Sequence, residues 1–253
     1  MTGKRHKKRE KSKTNISQKE NAQRVFSKEG KTTQLKITGW RLWLFRFIAL
    51  IGIPALLFLL LEVTLRIAGY GFPARAIVEC KAGGKSSYCN NIKFSWRFFP
   101  RNIARVSNLF IFSKDKTDNT YRVFVLGESA AAGEPDGAYC FGRILQTILR
   151  HRYPQTNFEV ITTAMPAINS HVILEIAKDC SRHHADLFVV YMGNNEVVGP
   201  YGAGTVFAPL SGSLSFIRFD IAFKATKVGQ MITSLVDSLS QSKGIPKVWR
   251  GME

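Results

Sequence analysis

Hydrophobic and polar positions divide the chain into contrasting stretches. Residues 1–36 are polar and basic without apolar periodicity, which predicts a tail with no stable structure. Residues 47–61 then carry no charge at all. Trp40, Trp43 and Leu44 on one side, and Val63, Leu65, Ile67 and Ala68 on the other, extend this apolar stretch past the roughly 20 residues that span a bilayer. Arg41, Arg46, Glu62 and Arg66 flank it, where long side chains can reach head groups. Pro54 should kink the helix, which a membrane segment tolerates. Residues 69–118 are mixed in character, with one aromatic cluster at Phe94, Trp96, Phe98 and Phe99. Its alternation predicts an edge strand or a segment packed across the domain that follows.

From residue 121 the pattern becomes regular. Residues 121–126 (YRVFVL) read as a buried strand, 141–152 as an amphipathic helix, 158–162 as a strand, 170–184 as a helix and 187–191 as a third strand. That order predicts an α/β domain with a parallel sheet covered by helices. Residues 214–239 read as one amphipathic helix, with a break near Gly229. The expected organisation is a basic tail (1–38), a transmembrane helix (40–68), a connecting region (69–118) and an α/β domain (119–253).

Charge and cysteines refine this picture. A core helix would need a polar side within residues 47–61, and a cleaved signal peptide normally has a short leading region, whereas this one runs to Arg46. A retained single-pass anchor is therefore expected. The net charge of +18 is uneven: residues 1–36 hold twelve Lys or Arg against Glu10, Glu20 and Glu29, a local +9. Phe26 alone interleaves aromatic character there, so the tail suits anionic lipid and no nucleic-acid partner is expected. By the positive-inside rule the tail is cytoplasmic and everything after residue 70 lies outside the cytoplasm. Cys80, Cys89, Cys140 and Cys180 lack the close spacing of a zinc site, so no metal is expected. Cys80 and Cys89 bracket the loop KAGGKSSY, either as a disulfide or as two unrelated thiols.

Three polar or small-residue loops follow the three strands: GESAAAGEPDG (127–137), TAMPAINS (163–170) and MGNNEVVGPYGAG (192–204). In an open α/β sheet such loops gather at one edge, where ligand sites lie. Ser129 brings a hydroxyl there, and the small residues after it leave backbone N–H groups accessible. A nucleophilic serine needs a base and donors for an oxyanion. Backbone N–H groups from the first two loops and a side-chain amide from Asn194 or Asn195 can supply the donors. Gly193 permits a tight turn, and Glu196 can hydrogen-bond across the loop. GESAAAG lacks the further glycine or lysine of a phosphate loop, so no nucleotide or other cofactor is expected.

Gly-Glu-Ser-x-x-x-Gly at Gly127 to Gly133, the small-residue loop before Asn169-Ser170, and Gly-Asn-Asn-Glu at Gly193 to Glu196 resemble the first three motif blocks of the SGNH/GDSL hydrolases. The resemblance covers about residues 120–205. It implies a flavodoxin-like three-layer α/β fold, incomplete at the C-terminus, and a serine esterase or acyl hydrolase acting on an ester-bearing lipid, glycan or cell-wall polymer. It also implies tethering to the cell (inner) membrane, as in anchored bacterial members. Ser129 then matches the nucleophile, and the Ala167 N–H and the Asn195 amide match the oxyanion donors. Glu128 and Glu196 stand where aspartates are usual, and Gly127, Gly193 and Asn194 support the turns. The family's base comes from an Asp-x-x-His motif, and no histidine follows Tyr201. His151, His183 and His184 are expected at helix ends or on the surface, and His171 lies nearest the second loop. The expectation is a chain cut short and inactive for want of its base. The alternative is a catalytically inactive anchored domain that binds a glycan or protein.

Overall fold

The computed structural model describes residues 39–205 and 213–240. The basic tail lies outside these residues, as do residues 206–212 and 241–253. The chain divides into two units, residues 1–56 and 57–253.

Helix α1, Gly39–Ile67, is long and apolar enough to cross a membrane. Its stretch Ile48–Gly52 is π-helical, and the Ile53 N–H donates to the Ile48 carbonyl. Pro54 explains this locally. It has no N–H to offer Leu50 and its ring presses on that carbonyl, and one wider turn absorbs both defects. Glu62 does not reach toward head groups as expected. It is buried, and its Oε2 accepts the Val228 N–H at 2.9 Å while Arg66 Nε holds Oε1 at 2.8 Å.

The expected single flavodoxin-like parallel sheet is not what the chain forms; it builds two separate three-stranded sheets. The first is antiparallel: β1 (Ile77–Ala82), β2 (Lys85–Asn90) and β3 (Ile111–Ser113), in that order. It arises within the region read as a connection. A Gly83-Gly84 turn with positive φ at both residues closes the β1–β2 hairpin, and a Cys80–Cys89 disulfide crosses it. Antiparallel strands need only a tight turn, so this sheet pairs locally and never joins the parallel one. The aromatic cluster is not a strand either. Phe94–Arg97 forms a 3-10 turn that buries Phe94, with Phe98 and Phe99 buried just after it.

The second sheet is parallel, in the order β5-β4-β6: β4 (Thr120–Gly127), β5 (Asn157–Thr162) and β6 (Leu187–Tyr191). Between these strands lie a short α2 (Ser129–Ala132), α3 (Phe141–Arg152) and α4 (Ser170–Cys180). Alternation along β4 assigns the faces. Val125, paired with Thr162, faces Gly142 of α3, whereas Phe124, paired with Ile161, faces the core containing Val172, Ile173 and Ile176 of α4. The two helices thus cover opposite faces, and the chain leaves β4 for one neighbour and returns to the other. In open α/β sheets the ligand crevice lies at such a reversal, outside the C-terminal ends of the two strands, here β4 and β6. Phe112 of β3 meets Phe124 of β4 edge-on at 5.7 Å, so both sheets share one core.

Residues 214–240 form two helices, α5 (Leu214–Ala225) and α6 (Lys227–Ser240), and the break falls at Thr226 instead of near Gly229. Thr226 Oγ1 accepts the Gly229 N–H at 2.9 Å, as a threonine cap does. Gly229 serves close packing, because a Cβ there would overlap the Phe223 carbonyl.

Candidate active site

The C-terminal end of β4 is shaped by two residues before the serine. A Cβ at Gly127 would overlap the Tyr191 carbonyl and the Ala131 side chain, so glycine lets β6 end close by while the chain turns into α2. The Glu128 side chain is buried, and its carboxylate accepts three backbone N–H groups from the third loop. These are Gly193 at 3.1 Å on Oε1, and Asn194 at 2.8 Å and Asn195 at 3.2 Å on Oε2. Charge-assisted bonds of this kind hold a buried carboxylate without a cation.

The other loops are tied in the same manner. The Met165 N–H donates to the Gly127 carbonyl at 3.1 Å, joining the second loop to the first. Glu196 accepts the Ser170 N–H at 2.8 Å and the Ser170 hydroxyl at 2.7 Å, joining the third loop to the first turn of α4, where a carboxylate is favoured. The fully buried Asn169 amide donates to the Pro200 carbonyl at 2.8 Å, while its Oδ1 has no hydrogen-bond partner among the described residues. In the sequence Asn169 and Ser170 mark only the end of the second loop. The pair announces a helix start, yet nothing local shows that their side chains turn toward a loop some 30 residues later.

Ser129 is half-buried as the first residue of α2, and its hydroxyl makes no hydrogen bond to any described residue. Ala167 has φ of 60°, in the left-handed region, and its N–H finds no acceptor among the described residues. Asn195 is half-buried with an unbonded side-chain amide, Asn194 is exposed, and Gly193 has φ of 135°. Nδ2 and Oδ1 of Asn195 are thus free to meet a ligand, whereas its N–H is taken by Glu128.

No hydrogen bond joins Ser129 to a histidine among the described residues. The His171 ring meets Tyr201 edge-on at 6.1 Å, and Tyr201 donates its hydroxyl to Asp220 Oδ2 at 2.6 Å. Burial, with Asp220 beside it, pushes the Tyr201 phenol far above its ordinary value. His183, expected at a helix end or on the surface, lies just past the end of α4 but is buried, against Tyr88 at 4.3 Å and Phe112 at 5.9 Å, and burial holds its imidazole below the usual range. His151 and His184 are exposed. Cys180 is buried, which pushes its thiol up to about 12. Among the described residues no three His, Cys, Asp or Glu side chains gather to hold a metal ion.

At the opposite end of β4, Arg122 is fully buried. Its Nε binds Glu159 at 2.8 Å, Nη1 the His183 carbonyl at 2.9 Å and Nη2 the Ser113 carbonyl at 3.1 Å, with the Phe112 ring 4.8 Å from the guanidinium carbon. In the sequence Arg122 sits inside the otherwise apolar strand pattern of residues 121–126, which gives no sign of these partners.

In chemical terms the crevice offers a hydroxyl free of internal bonds, an unused N–H at Ala167 and a free amide at Asn195, on loops fixed to one another. Among the described residues no base is hydrogen-bonded to Ser129. Compared with protein-family models, curated proteins and solved structures, the chain matches none.

Proposed function

We propose that this protein is a membrane-anchored serine acyl hydrolase of SGNH/GDSL type, acting on an ester or acyl group outside the cytoplasm. Ser129 is the nucleophile, and the Ala167 N–H and Asn195 amide stabilise the oxyanion. The proton is taken by a general base that the described residues do not hold in hydrogen-bond contact with Ser129. The observation that carries the reading is the Glu128 carboxylate, which draws residues 193–195 onto the residue preceding Ser129 and leaves the serine hydroxyl unbonded. A ligand site at this sheet edge does not depend on the rest of the fold. The Cys80–Cys89 disulfide supports placement in an oxidising compartment, and the basic tail supports a cytoplasmic N-terminus.

The test supplies a base in solution. The chain and its Ser129→Ala variant are mixed with p-nitrophenyl acetate, with and without imidazole, and the Ser129 peptide is examined for acetylation by mass spectrometry. The expected result is equal release without imidazole, and Ser129-dependent acetylation with it. Ser129-dependent turnover without imidazole would show that a base within the chain already serves Ser129. No acetylation of Ser129 under either condition favours the second reading, an anchored domain that binds a glycan or protein in the same crevice. The observation behind that reading is that no described histidine is hydrogen-bonded to Ser129.

A further inference from the structure

A cleft of about 330 Å³ opens where the chain leaves α1, apart from the crevice at Ser129. Tyr70 and Phe72, just past the helix end at Ile67, form one wall; Lys93, Trp96 and Arg101 form another; Ser234 of α6 closes it. Trp96 stands edge-on to Phe72 at 5.4 Å. Two cations lie near its indole: the Arg101 guanidinium carbon is 4.8 Å and the Lys93 ammonium 5.4 Å from the ring centre. Arg101 Nη2 also donates to Ser234 Oγ at 3.2 Å.

Neither cation has a carboxylate within 4.0 Å among the described residues. Asp237 lines a smaller adjoining hollow with Lys224 and Arg101; burial lifts its carboxyl above the usual range, with Arg101 and Lys224 opposing that shift, and it makes no ion pair with Arg101 within 4.0 Å. A guanidinium and an ammonium beside a hydroxyl suit the oxygens of a phosphate. An indole with one polar edge suits the boundary between head group and acyl chain. The cleft's place beside the end of a membrane-crossing helix puts it where such head groups lie.

We propose that this cleft binds a phosphate-bearing anion, the head group of an acidic glycerophospholipid, between Lys93 and Arg101 and against Trp96. A bound lipid of this kind fixes the domain on its own membrane surface. The site is independent of the hydrolase reading.

The test is native mass spectrometry of the full chain released from detergent micelles and titrated with phosphatidylglycerol, with phosphatidylcholine, and separately with inorganic phosphate. Phosphatidylglycerol is expected to be retained in preference to phosphatidylcholine. Lys93→Gln and Arg101→Gln should each weaken retention roughly fivefold, and together roughly 25-fold. Both side chains are exposed, so the variants keep the fold, and a Lys81→Gln/Lys85→Gln control on the β1–β2 hairpin should retain the lipid like the unaltered chain. Equal retention by the Lys93/Arg101 double variant overturns the site. Saturation by inorganic phosphate with no phosphatidylglycerol retained overturns the lipid assignment.

Discussion

The two ends of β4 each carry a buried charge, and the charges organise opposite kinds of backbone group. Arg122 at the N-terminal end gathers carbonyl oxygens from Ser113 and His183 together with the Glu159 carboxylate. Glu128 at the C-terminal end gathers N–H groups from three successive loop residues. At the first end the polar groups around the ion are matched and the elements lock together. At the second the ion shapes a loop, and the next residue keeps a hydroxyl that nothing in the fold occupies. A buried charge by itself therefore says little about function; the unbonded group beside it says more.

The comparison can be broken most severely at Arg122. Arg122→Met strands the Glu159 carboxylate and two carbonyls, and should destabilise the domain by about 3–5 kcal/mol, read as a lower urea midpoint. A loss under 1 kcal/mol would remove the locking role. Glu128→Gln keeps the shape but puts an amide N–H₂ in place of one acceptor oxygen, so that at least one of the three N–H donors loses its partner, and should cost about 2 kcal/mol. Its signature is local: hydrogen exchange should quicken at residues 193–195 while the β4–β5 ladder stays protected, and uniform loss of protection would count against a loop-shaping role.

A smaller effect follows from His183, whose carbonyl Arg122 holds. Burial keeps the folded imidazole's pKa below its unfolded value near 6.5, so the unfolded chain binds more protons in the window between the two. Stability from this group is complete above pH 6.5 and falls as the pH drops through that window. His183→Phe should flatten that slope in urea midpoints measured across the range, and an unchanged slope would assign it elsewhere.

The smallest effect compares strain at both ends, since Ala167 has φ of 60° and His184 φ of 55°. Left-handed backbone costs a residue with a side chain roughly 1 kcal/mol, part of which glycine returns through its freer unfolded state. Ala167→Gly and His184→Gly should each raise stability by about 0.5 kcal/mol. A gain at one position alone would show that strain is peculiar to that end.

The parallel strands were legible because β4 is a continuous apolar run, Val123 to Leu126, buried on both faces. The antiparallel sheet was not, because β1 and β2 are polar and half-exposed and their pairing rests on a glycine turn read as part of a linker. Site residues divide in the same way. Ser129 stands out as a hydroxyl at the end of a strand, whereas the partners of Glu128 lie 65 to 67 residues away and leave no mark beside it. Thr226 was readable: a threonine three residues before Gly229 is a cap signal, but the glycine drew attention to itself.

Glu62 of α1 caps the first turn of α6, and the Gln230 side chain meets both the N–H and the carbonyl of Phe72. These bonds close rings of 166 and 158 residues. Loop-closure entropy rises by only about 0.6 kcal/mol for each doubling of length, so such distant ties are thermodynamically modest, but they form slowly. During synthesis α1 emerges long before α6 exists, and until then the Glu62 carboxylate has only Arg66 for company. Tying the Glu62 end of α1 to α6 is therefore one of the last events in the protein's assembly.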